Sequence, residues 1–350
     1  MPVNARVLLR QTLVLVGLLV AVTPCDAVDS LIGQEFAVSD TLRQGIDANP
    51  DSAACLEGLC WKPAEFTVSI EPPAGEHGEL LVRFNSPVAT GNEVNDRVAL
   101  EASLVRNADG EPVSAPAVVV IHESGKSMPV GRLFAAGFRQ RGVHAFMLQL
   151  PNYGVRRTQG DIPPENLLSA LRQGVADARR ARDAVAALPF VEKERIGLQG
   201  TSLGGFVAST AGALDDGYQF VFLTLSGGDL FGIVKEGKRD AAKVRERLER
   251  AGVDDVRLRE MTQAIEPLRV AHRLNAESTF MYSGLYDDVV PMSHARVLAN
   301  AIGLASDHHT MLPADHYTGI IFLPVILDHM ATQIRGVPVA GPQPSSATSR

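Results

Sequence analysis

A chain of 350 residues is long enough for one large domain with additions. With 45% hydrophobic and 21% charged residues it has the composition of an ordinary globular protein, which excludes a disordered or polytopic membrane chain. A net charge of −7 supplies no concentrated basic surface for phosphate backbones, so nucleic acid is not an expected partner.

In chain order, Arg6 and Arg10 precede an apolar run from Leu13 to Val22, followed by Pro24 and the small Ala27. These are the three regions of a secretory signal peptide, placed over residues 1–27. The apolar run falls short of the roughly 20 residues that a membrane span needs, so cleavage near Ala27 is expected rather than an uncleaved anchor. Pro24 stands where lipidation at Cys25 would want a small residue. The mature protein is therefore expected in the periplasm or fully secreted, with no stable membrane insertion. In such an oxidising compartment Cys55 and Cys60, in CLEGLC, are expected to form a local disulfide within an N-terminal extension over residues 28–65. No His or third Cys lies nearby to suggest zinc.

Residues 66–70 (FTVSI), 79–84 (ELLVRF) and 97–105 (RVALEASLV) are short apolar-rich runs separated by Pro, Gly and Asn clusters, and read as antiparallel strands. After NADGEP the pattern becomes continuously apolar, as strands buried on both faces require: 117–121 (AVVVI), 144–150 (HAFMLQL), 195–199 (RIGLQ), 220–225 (FVFLTL) and 279–284 (TFMYSG). Helical patterns at 165–188 and 206–214 alternate with them, and Arg179, Arg180 and Arg182 read as a solvated helix face. The alternation predicts an α/β domain over residues 66–337, a mostly parallel sheet of about eight strands flanked by helices, with antiparallel strands at its N-terminal side. Residues 234–273 interrupt it with a charged helical stretch, either a lid over the site or a solvent-facing helix pair. Residues 338–350, Pro- and Ser-rich, are expected to be disordered.

The segment RIGLQGTSLGGFVAS sets Gly200-Thr201-Ser202-Leu203-Gly204 between a buried strand and a helix. A sharp turn there lifts Ser202 above the sheet, small neighbours permit close approach, and the helix N-terminus aims N–H groups at a developing oxyanion. On this motif the chain resembles the α/β-hydrolase superfamily from about residue 66 to 335. The resemblance implies an acid and then a histidine, each in a loop after a later strand. LYDDVVP, after TFMYSG, looks like the acid turn, with Asp287 at the matching position and Asp288 as the alternative. His316, in HTMLPADHYTG, follows the last strand and precedes a helical segment as the family histidine does. His308 and His309 lie before or within that strand and read as structural or surface residues, and His329 sits on the last helix with no route to Ser202.

The same resemblance implies a serine hydrolase needing no metal or organic cofactor, with Leu203 N–H as the first oxyanion donor. The second comes from the loop after AVVVI: Ser124 N–H, or Gly125 N–H. That loop begins His122-Glu123, a form that resembles dienelactone-hydrolase-like members. Those use cysteine where this chain has Ser202, so their activity is not carried over. Glu123 either tunes the site or holds the loop. LPNYGVRRTQG resembles a loop of acetyl-xylan-esterase-like and prolyl-oligopeptidase-like hydrolases, so Tyr153 and Arg156 either line the pocket, with His122 and Glu123, or shape the loop. The leading expectation is a carboxylic-ester hydrolase acting on a small-molecule ester, with short acyl groups preferred because no extended apolar lid is evident. A prolyl-oligopeptidase-like peptidase is the alternative enzyme, although fewer than about 90 residues lie between the signal and the first buried strand, too few for that family's propeller. A catalytically silent binding protein is the alternative from another class. No feature of the sequence indicates an oligomeric state.

Overall fold

Continuous apolar runs need cover on both faces, and in the computed structural model they form the middle of one ten-stranded sheet. The structure describes residues 30–43, 46–158 and 164–336; the expected signal (1–27) and tail (338–350) lie outside them. The strands are β1 (Glu35–Ser39), β2 (Glu65–Glu71), β3 (Leu80–Asn85), β4 (Arg97–Ser103), β5 (Ala115–Ile121), β6 (His144–Gln149), β7 (Val191–Thr201), β8 (Phe220–Thr224), β9 (Thr279–Gly284) and β10 (His309–Leu312). Their order is β1-β2-β3-β4-β6-β5-β7-β8-β9-β10. The pairs from β1 to β4, and β4 with β6, are antiparallel; every pair from β6 to β10 is parallel. All residues of β5, β6 and β9 are buried.

Among the described residues ten α-helices accompany the sheet: α1 (Pro50–Glu57), α2 (Glu93–Asp96), α3 (Pro129–Gln140), α4 (Pro164–Ala186), α5 (Leu203–Gly212), α6 (Leu230–Glu236), α7 (Asp240–Arg250), α8 (Asp255–Gln263), α9 (Met292–Ile302) and α10 (Leu323–Arg335). Alternate residues of the central strands feed two cores. On one face Val118, Val120 and Met147 pack with Phe134 and Phe138 of α3 and Met330 of α10; on the other Val119, Ile121 and Leu148 pack with α4, α5 and α9. From β5 the chain passes to β6 on one side, then to β7 on the other. Such a reversal opens a crevice at the C-terminal strand ends, where α/β sheets collect their ligands. No helix among the described residues is long and apolar enough to cross a membrane.

Three sequence expectations need correction. The N-terminal extension is part of the sheet, because β1 pairs with β2. Cys55 and Cys60 are free thiols rather than a disulfide. Helix α1 carries Cys55 into the core, and the N–H groups of Leu59 and Cys60 close the following turn on the Leu56 carbonyl, so backbone bonds do the work assigned to the bridge. Burial pushes both thiols up, Cys60 to about 11, which keeps them protonated and unreactive. The arginine cluster is not a solvated face either. Arg179 bonds Asp215 at 2.6 Å and Asp183 at 3.2 Å, and Arg180 bonds Asp40 at 2.7 Å. Helix α4 is covered by the N-terminal extension, and its guanidinium groups point at the carboxylates that hold that extension down.

Candidate active site

The site begins with backbone strain. Ser202, between β7 and α5, has φ 53° and ψ −116°, a conformation that a non-glycine residue adopts only when its surroundings impose it. Two neighbours make the turn possible. A Cβ on Gly204 would stand 2.2 Å from the Ile121 carbonyl oxygen, and one on Gly200 equally close to that of Gly204. Strand, turn and helix are thus pressed together to a distance that only glycine allows. The N–H of Ser202 bonds the Thr224 carbonyl of β8, which anchors the turn to the sheet.

His316 reaches the serine from the loop after β10, its Nε2 3.0 Å from Ser202 Oγ. Its Nδ1 lies 2.7 Å from Oδ2 of Asp287, in the loop after β9. The other oxygen of Asp287 accepts the N–H groups of Val289 and Val290, each at 2.9 Å, so the carboxylate is fixed from behind while it faces the imidazole. Asp288 turns away, its carboxylate 3.3 Å from Arg239. His308 bonds carbonyls of Ala276 and Thr279, His309 bonds Ser283, and His329 bonds the Tyr282 hydroxyl, all remote from the serine.

Ser202, His316, Leu203, Ser124 and Tyr153 all line one cavity of about 460 Å³. Among the described residues, no acceptor takes the N–H of Leu203 or of Ser124. The Tyr153 hydroxyl donates to the Ser124 carbonyl at 3.1 Å, which holds that loop over the turn. Burial pushes the Tyr153 phenol up, so it remains a donor.

His122, Glu123 and Arg156, three of the pocket candidates, do not line the cavity. The His122 ring is fully buried beneath the loop, its Nδ1 2.6 Å from the Glu123 carbonyl while its Nε2 accepts the Leu150 N–H. Desolvation brings its pKa down to about 4, so the ring is neutral. The Glu123 carboxylate accepts the N–H groups of Val130 and Gly131 at the start of α3, which selects the loop-holding reading. Arg156 is buried against Asp177 at 2.7 Å.

Of the two readings of residues 234–273, a lid or a solvent-facing helix pair, the cavity lining matches the lid, although its apolar inner face was not expected. Leu171 of α4, Ile233 of α6 and Leu258 and Met261 of α8 wall the cavity away from the sheet. The segment just before and at the start of α7 joins this cover to both reactive loops: Arg239 faces Asp288, next to Asp287, and Asp240 accepts the hydroxyl of Tyr317, next to His316, at 2.9 Å. The signal was present in the adjacent Arg239-Asp240 pair opening a helix and in the aromatic residue following the histidine, but nothing local said that the two would meet.

Sheet order, strained serine turn and the two loops after β9 and β10 define the α/β-hydrolase fold. A model of the prolyl oligopeptidase family matches residues 171–317, a stretch that includes Ser202, Asp287 and His316. Among solved structures, an acetyl xylan esterase from a Paenibacillus species is 17% identical with a TM-score of 0.59, covering 88% of this chain and 98% of its own. Acetyl xylan esterase 1 from a Thermoanaerobacterium species is 16% identical with a TM-score of 0.58, covering 85% and 96%. A puromycin-hydrolyzing peptidase from Mycobacterium tuberculosis is 18% identical with a TM-score of 0.52, covering 77% of this chain and 46% of its own. No curated protein matches the chain. The chain has the α/β-hydrolase fold, and two esterases and a peptidase are among the solved structures it resembles.

Proposed function

We propose that the protein is a serine esterase in which Ser202 is the nucleophile, His316 the general base and acid, and Asp287 the residue that orients the imidazole. The observation that carries this reading is the continuous hydrogen-bonded chain from Asp287 through His316 to a strained Ser202 at the mouth of a cavity.

A serine hydroxyl is unreactive at its own pKa, so its proton passes to Nε2 of His316 as Oγ bonds the ester carbonyl carbon. The carbonyl π pair moves onto oxygen, where the N–H groups of Leu203 and Ser124 and the positive end of α5 receive it. Asp287 keeps the proton of the ring on Nδ1 and stabilises the imidazolium. Collapse of the oxyanion expels the alkoxide, which takes the proton from His316 and leaves an acyl-Ser202 ester. Water then repeats the sequence: His316 accepts its proton, hydroxide adds to the acyl carbon, and Ser202 leaves with the proton returned. Helices α6 to α8 act as the cover over this chemistry, and export by the residue 1–27 signal belongs to the same reading.

Treatment of the protein with a fluorophosphonate, beside the Ser202→Ala variant, tests the nucleophile; labelling that persists in the variant removes Ser202 from the role. Labelling of neither protein supports a silent binder instead. The second enzymatic reading, a serine peptidase, draws support from the prolyl oligopeptidase match over residues 171–317. Turnover of p-nitrophenyl esters against a Pro-linked peptide separates the two, and faster cleavage of the peptide would favour the peptidase.

A further inference from the structure

We propose that the cavity beneath α6 to α8 receives the hydrocarbon part of the ester, a chain or ring of about six to ten carbons. This rests on the serine-esterase reading, and reverses the expectation of short acyl groups, which presumed that no apolar lid was present.

The argument is the chemistry of the walls. Leu168 and Leu171 of α4, Phe206 of α5, Ile233 of α6 and Leu258 and Met261 of α8 surround the space. Leu168, Leu171 and Phe206 are only half-buried in a region where the other core-facing residues of these helices are fully covered, because their free faces look into the cavity. The hydroxyl of Thr262, on α8, is already spent on the carbonyls of Leu258 and Arg259. Asp240, at the rim, is engaged by Tyr317 at 2.9 Å and Lys243 at 2.8 Å. Among the described residues no Trp, Asn, Gln or Glu lines the space, and its charged lining residues, Asp240, Lys243 and Arg247, all belong to α7. A sugar placed against the walls made by α4, α5 and α8, away from the charged residues of α7, would leave its hydroxyls there without partners, which is costly, whereas a hydrocarbon asks for nothing but contact.

Size sets the length. At about 30 Å³ for a water-sized group, 460 Å³ holds on the order of fifteen such groups. A group of roughly six to ten carbons fills most of that and leaves room for the ester itself. The cover has an apolar centre of its own, in which Leu248, Leu258 and Met261 pack with Leu167, so the roof is built as a wall and not as a loose flap.

Two ester series read this directly: p-nitrophenyl esters with acyl chains from two to twelve carbons, and acetates of alcohols over the same range. In one of them kcat/KM should rise about threefold to fourfold per added methylene up to a maximum between six and ten carbons, and the series in which it rises says whether the acyl or the alcohol side enters. Ala170→Phe, which puts a ring into the cavity from α4, should lower the ratio of kcat/KM for the preferred ester to that for its two-carbon counterpart at least tenfold. Val244→Trp, from the exposed side of α7, gives the same readout if Ala170→Phe does not fold. A maximum at two carbons in both series, with Ser202 still labelled by fluorophosphonate, overturns the proposal. Should labelling itself fail, calorimetry with octanoate decides: binding to the Ser202→Ala protein that is lost on adding Ala170→Phe sustains the hydrocarbon site, and no binding removes it.

Discussion

Two buried polar networks lie within one molecule, and they are built to opposite ends. Along α4 the fully buried charges are closed off: Asp177 with Arg156, Arg179 with Asp215 and Asp183, Arg180 with Asp40. By contrast, the chain from Asp287 through His316 stops at a hydroxyl that faces open space. The closed network resists change, because removing one partner strands another charge in the interior. The open one needs its last member free to change partners. The backbone makes the same distinction: charges along α4 hang from ordinary helix, whereas Ser202 is held at a positive φ by glycines that no larger residue can replace.

The comparison breaks most sharply through activity. Ser202→Ala should lower kcat about 10⁵- to 10⁶-fold, and Asp287→Asn about 10⁴-fold through the wrong imidazole tautomer, while thermal melting of both stays near that of the parent. Asp288→Asn should cost less than about tenfold, since Asp288 faces Arg239. A larger loss for Asp288 than for Asp287 would reassign the acid. The closed network should behave in the reverse sense. Arg179→Ala strands Asp215 and Asp183 and should destabilise by about 3–5 kcal/mol in urea unfolding, with the activity of the remaining folded protein little altered. A stable Arg179→Ala protein would mean that the network holds nothing down.

Smaller is the effect of pH on the buried His122. Its folded pKa of about 4 lies below the ordinary value of 6.5, so the fold favours the neutral ring. Its contribution is complete above pH 6.5 and is lost as pH falls from there towards 4, where unfolded chains take up the proton first. The total is about 3 kcal/mol. Urea midpoints should fall more steeply between pH 6.5 and 5 in the parent than in His122→Gln; equal slopes would show that this ring does not govern the loss. Smallest is the tie between cover and histidine loop. Tyr317→Phe removes one hydrogen bond to Asp240 at a partly exposed position and should cost about 1 kcal/mol or less, with kcat/KM down only a few-fold.

Much of this was legible in the sequence because it is local. Continuous apolar runs named the central strands, and Gly-x-Ser-x-Gly between strand and helix named the turn that is strained at Ser202. The order of Asp287 and His316 after it marked the histidine whose ring meets Ser202 and the carboxylate that holds that ring. What was hidden depends on partners far along the chain. β1 is five residues whose pairing with β2 no periodicity announces. The arginines of α4 look like a wet face until Asp40 and Asp215 arrive from about 140 and 36 residues away. His122 and Glu123 adjoin the site in sequence, yet one points beneath the loop and the other at the start of α3, a direction that composition does not encode. The cover read as charged because its outer face is; the apolar side was diluted among lysines and arginines.

The central claim is that Ser202 owes its reactivity to His316. Peptide mapping by mass spectrometry after brief fluorophosphonate treatment, on the parent and on His316→Ala, tests it most directly. The account predicts one adduct, on Ser202, formed in the parent and all but absent in the variant. An adduct on any other residue, or one that forms on Ser202 equally fast without His316, would contradict it.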